Sequence, residues 1–148
     1  MMLEHFERLY AEYLDGIQRK ASEYKKARKK RDYAAIQDIR DGLAEGDILM
    51  APDFVTESLS YWQAMENQRK ECEAQRRIEY RKLVGKSKDG DKKQYTYATA
   101  KEAEDAAFLA CSDAREEERA AERNYRKARE LESRKEQLFH TIASRLRE

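Results

Sequence analysis

Proline occurs once and glycine five times in 148 residues. So few breakers disfavour a turn-rich sheet protein and favour long helices. Cysteine occurs only at Cys72 and Cys111, far apart and unclustered. That excludes a multi-bridge disulfide framework or a thiolate metal cluster; the two are expected to be reduced thiols in a cytoplasmic protein, with a disulfide between them as the less favoured alternative. Histidine occurs twice, His5 and His140, at opposite ends of the chain. No His, Cys or carboxylate group has the spacing of metal ligands. No apolar run approaches the roughly 20 residues that span a bilayer. The stretch from Met1 to Lys30 is charged from its start, unlike a secretory signal.

Charge is abundant instead. Charged residues are 41% of the chain, 31 basic against 30 acidic, for a net charge of +1. Hydrophobic residues make up 40%, and many are alanine or tyrosine, so the core is thin. Charge also comes in blocks. Lys20 to Arg40 holds eight basic and three acidic residues, and Asp41 to Gln68 holds six acidic and no Lys or Arg. Arg69 to Lys101 holds eleven basic and five acidic, and Glu102 to Glu118 seven acidic and one basic. Such blocks either match one another within or between subunits, or leave a basic surface for polyanions.

Periodicity places three helices in one all-α domain: helix 3–44, loop 45–53, helix 54–84, basic turn 85–98 and helix 99–147. In the first, Leu3, Phe6, Tyr10, Tyr13, Ile17, Ala21 and Tyr24 recur at steps of three and four. Ala35, Ile39 and Leu43 continue the stripe in a shifted phase. EGDILMAPD holds the single proline and reads as a loop, with Asp53 or Thr56 able to cap the second helix. That helix carries Val55, Leu59, Trp62, Met65, Cys72 and Leu83, with Arg69 and Arg76 where apolar residues would fall. Thr99-Ala-Lys-Glu102 has the form of a capping box. The third helix then runs without glycine or proline.

At 1.5 Å per residue the second helix is roughly 46 Å long and the third roughly 73 Å. Paired as an antiparallel, coiled-coil-like hairpin, the third overhangs with Leu131, Leu138, Phe139, Ile142 and Leu146. Self-association is expected to cover that stripe, unless the N-terminal helix folds back over it.

The turn begins Gly85-Lys86-Ser87, as a phosphate-binding loop ends. Such a loop needs a further glycine at position 80, which is Tyr80, and a preceding strand. Asp89 and Asp91 flank Gly90, but Lys93 and Tyr95 stand where a calcium loop needs ligands. No catalytic residue, metal site or cofactor is therefore expected, and the chain reads as non-enzymatic. What remains is basic charge interleaved with tyrosine: Arg76, Arg77, Arg81, Lys82, Lys86, Lys88, Lys92, Lys93, Tyr95 and Tyr97. Cations that track phosphates and rings that stack on bases suit single-stranded nucleic acid. A lysine-rich turn kept for solubility is the plainer alternative.

From about Phe54 to Glu148 the layout resembles small phage recombination mediator proteins. The features are SLSYWQAMENQRKECEAQRRIEYRKL, the basic glycine-containing turn, TAKEAEDAAF, and NYRKARELESRKEQLFHTIASRLRE. The resemblance implies a non-enzymatic oligomer that binds single-stranded DNA and helps a recombinase replace single-strand-binding protein. It implies DNA contacts from Arg76 to Lys93. The acidic block at Asp41 to Glu66 departs from that pattern and suits a protein partner. A helical scaffold, chaperone or inhibitor acting only through protein contacts is the rival expectation.

Overall fold

A computed structural model of the chain describes residues 3–45, 52–85 and 96–147. Those residues form five helices and no strand: α1 (Leu3–Lys29), α2 (Tyr33–Glu45), α3 (Pro52–Arg81), α4 (Ala100–Ala110) and α5 (Ser112–Leu146). The fold is all-α, as the apolar periodicity requires. The chain divides into two compact units. Unit 1 comprises Met1–Leu59 and Arg123–Glu148, and unit 2 comprises Ser60–Glu122.

The expected helix 3–44 is two helices. Arg31 takes a positive φ of 54°. The Asp32 amide donates to the Ala27 carbonyl at 2.9 Å, and the Arg31 amide to the Arg28 carbonyl at 3.2 Å. This pair of bonds around a left-handed residue is a Schellman stop. The position usually belongs to glycine, and a side chain there costs about 1–2 kcal/mol. Asp32 then caps α2, its Oδ1 accepting from the Ala35 amide at 3.1 Å. The restart rotates the apolar stripe, which is why Ile36, Ile39 and Leu43 fall out of phase with α1.

The expected helix 99–147 also divides, at Cys111. The start holds: Thr99 Oγ1 accepts from the Glu102 amide at 3.2 Å. The return bond of the capping box differs from expectation, because Glu102 Oε2 accepts from the Ala98 amide at 3.1 Å. At the break, Cys111 has φ −102° and ψ 17°, and its amide is shared between the Leu109 and Phe108 carbonyls. Arg115 Nη2 donates to the Phe108 carbonyl at 2.8 Å. The same guanidinium lies 3.2 Å from the Phe108 ring centroid. One side chain thus adds a second donor to the Phe108 carbonyl and gains a cation–π contact. The Arg115 amide donates to the Cys111 carbonyl at 3.1 Å and α5 begins. α3 starts at Pro52, ahead of both Asp53 and Thr56, and ends at Arg81. Proline suits a first helical turn, where its missing amide would have no partner.

The core of unit 1 joins α1 (Phe6, Tyr13, Ile17, Tyr24), α2 (Ile36, Ile39, Leu43), Phe54 of α3, and Ala128, Leu131 and Ile142 of α5. Phe54 stacks on Phe6 at 5.2 Å and meets Tyr13 edge-on at 4.9 Å. Leu131 and Ile142 are 1% and 0% exposed, and Leu138, Phe139 and Leu146 pack partly buried on the same cluster. Within the chain, Leu131 and Ile142 are thus fully covered and the rest of the stripe partly, as in the alternative in which the N-terminal helix folds back over it. Hydrophobic burial drives that packing.

In unit 2, Ala103, Ala107, Cys111 and Ala121 are each 1% exposed. Small side chains let neighbouring helices approach closely. Cys72 of α3 is disulfide-bonded to Cys111, with their Cα atoms 6.1 Å apart. This overturns the expectation of reduced thiols: helix packing brings together two residues that sequence separation alone kept apart.

Candidate nucleic-acid interface

The described part of the expected interface lies in unit 2, at the end of α3 and the base of the turn. Arg77, Arg81 and Lys82 are exposed. Arg77 and Arg81 are four apart and share a helix face. Arg81 Nη2 lies 3.3 Å from Glu104 Oε1 on α4, and both side chains are about half exposed or more, at 66% and 48%. Arg76 is drawn aside by Glu79 at 3.2 Å, one turn along. Among the described residues, Arg77 and Lys82 have no carboxylate partner. The cations left for a polyanion are therefore Arg77, Lys82 and the weakly held Arg81.

The base of the turn is fastened by backbone bonds. Thr96 and Tyr97 amides donate to the Leu83 carbonyl at 3.1 and 3.2 Å, and the Gly85 amide donates to the Tyr97 carbonyl at 3.0 Å. Tyr97 is half-buried, its ring centroid 5.5 Å from that of Tyr80. It serves as packing for the turn, and Tyr80 is its partner. Lys86, Lys88, Lys92, Lys93 and Tyr95 lie outside the described residues.

Arg69, an interruption of the apolar stripe in sequence, is the best-partnered cation among the described residues of unit 2. Its Nε donates to Glu118 Oε2 on α5, and Nη1 lies 3.2 Å from Glu73 Oε2. The three side chains are only 23%, 17% and 14% exposed. The hydrogen bond donated to Glu118 raises the Arg69 pKa above its ordinary value. Replacing Arg69 by Met leaves two carboxylates close together in a poorly solvated place. The expected loss is about 1–3 kcal/mol in chemical denaturation, and a loss below about 0.5 kcal/mol would show the pairs to be ornamental. Outside this group, a hydrogen bond from the Lys70 ammonium holds the Glu66 carboxyl below the usual carboxylate range.

Among the described residues, no helix is long and apolar enough to cross a membrane. The chain matches no known protein family, no curated protein and no solved structure.

Proposed function

We propose that this is a non-enzymatic helical protein that holds single-stranded nucleic acid at the end of α3 and the adjoining turn. The observation that carries it is the placement of Arg77, Arg81 and Lys82, exposed together at the end of α3 with at most one weak acidic partner. The adjoining turn brings four more lysines in sequence. The resemblance to phage recombination mediators points the same way, and would make a recombinase or a single-strand-binding protein the partner of the bound complex.

Anisotropy of a labelled single strand of about 30 nucleotides, read across salt concentrations, tests the proposal. Each phosphate contact contributes a slope of about −0.7 in log affinity against log salt. The Arg77→Gln/Lys82→Gln variant should therefore flatten the slope by about 1.4 with unchanged circular dichroism. Absence of binding by the wild-type chain at low salt would sink the proposal. That result would favour the second reading, a scaffold working through protein contacts alone. Ile78, Phe108 and Leu109, exposed at 61%, 49% and 68%, are the observation behind it.

A further inference from the structure

The end of α1, the turn after it, the start of α2 and the end of α5 enclose a pocket of about 350 Å³ within unit 1. Its lining includes three arginines, Arg28, Arg31 and Arg145. Tyr24, Tyr33, Ile36 and Leu146 complete the described lining. Among the described residues, no acidic side chain lines it. Asp32, the carboxylate nearest in sequence, is engaged in capping α2. Among the described residues, none of the three arginines forms an ion pair. Like charges gathered around one concavity repel one another and add nothing to the fold. A bound anion reverses that balance.

Two further observations mark the place. Arg31 holds the left-handed position that glycine usually fills. A strained residue that the fold does not need points to a use for its side chain. The Tyr24 hydroxyl is buried and has no hydrogen-bond partner among the described residues. Native proteins leave few such groups unpaired.

We propose that this pocket binds a nucleoside 5′-monophosphate group, with the guanidinium forks on the phosphate and the base against the exposed ring of Tyr33. Arginine matches the oxygens of a phosphate two at a time, and more strongly than it matches neutral acceptors. Half of the lining is aromatic or aliphatic, so a bare phosphate would leave it unused. The volume lies at the small end of the range for small-molecule sites, enough for one base and sugar beside the phosphate. The group belongs either to a free nucleotide or to the phosphorylated end of a strand. The site is independent of the α3 interface, which lies in unit 2.

Isothermal titration of the full, oxidised chain tests it with deoxyadenosine monophosphate, deoxyadenosine, phenyl phosphate, and short oligothymidylates with a 5′-phosphate or a 5′-hydroxyl. The monophosphate is expected to bind at least about tenfold more tightly than deoxyadenosine or phenyl phosphate. A preference for the 5′-phosphorylated strand over its 5′-hydroxyl twin assigns the site to strand ends. Binding of the monophosphate without that preference assigns it to free nucleotides. Arg28→Gln and Arg145→Gln should each weaken binding about tenfold. Arg31→Gly should do the same while the melting temperature holds or rises, because glycine relieves the left-handed residue. Arg77→Gln should leave this affinity unchanged, which separates the pocket from the α3 interface. No heat with the monophosphate, equal binding of phenyl phosphate, or wild-type affinity in Arg31→Gly would each overturn the proposal.

Discussion

Reduction of the Cys72–Cys111 disulfide should lower the stability of the chain by about 4 kcal/mol and its melting temperature by about 10 °C. The bridge closes a sequence separation of 39 residues. In the chain-entropy account, freeing a loop of that length restores most of this amount to the unfolded state. Packing adds to it, since Cys111 is 1% exposed and sits at the break between α4 and α5. The break keeps its other fastening, Arg115 on the Phe108 carbonyl and ring, so helix content should stay nearly constant below the transition. Melts of the oxidised chain, the reduced chain and the Cys72→Ser variant make the comparison. The reduced and variant proteins should agree with each other. A difference from the oxidised chain below about 1 kcal/mol would mean that the bridge contributes little to unit 2.

The second large effect lies in unit 1. Leu131→Ala should cost about 3–5 kcal/mol, the range for a leucine removed from a core that closes only in part around the gap. Leu131 is 1% exposed, within a cluster drawn from α1, α2, α3 and α5. The same substitution separates a core residue from a subunit contact. A core residue lost to alanine lowers the denaturation midpoint and leaves the native mass unchanged. An interface residue lost to alanine would leave each chain folded and shift the mass by dissociation. Chemical denaturation and light scattering on one preparation read both outcomes, and a shift in mass with an unmoved midpoint would contradict the assignment to the core.

Different physical scales decided what was legible in sequence. The stripe Phe6, Tyr13, Ile17 and Tyr24 is local periodicity, and all four are buried. Thr99 and Glu102 are three residues apart, and their cap formed on one side as spacing required. The stop after Lys29 was hidden because arginine occupies a place where glycine would have announced it. Asp32 ahead of a stripe in new phase was the available signal for α2. The restart at Cys111 carries no proline or glycine, and its reason is a tertiary bridge together with the reach of Arg115. The same holds for the disulfide and for the pocket, where Arg145 joins Arg28 and Arg31 only once α5 has packed. Of the expected interface, Arg77, Arg81 and Lys82 are exposed as their positions suggested. Tyr97 is instead committed to Tyr80, a pairing across the turn that depends on its register.

Unit 2 is one unbroken segment, whereas unit 1 is assembled from two segments on either side of it. That order has a consequence during synthesis. Ser60–Glu122 has all of its own contacts available once residue 122 has left the ribosome, and it can fold while the remainder is still being made. The core around Phe6 has no such freedom, because Leu131 and Ile142 are synthesised only after Ser60–Glu122. Until then α1 and α2 expose Phe6, Ile17, Ile39 and Leu43 without their partners from α5. Loop closure over so long a separation is slow. The nascent chain therefore passes through a stage with a finished insert and an open apolar cradle, and that stage is where a holdase chaperone would find it.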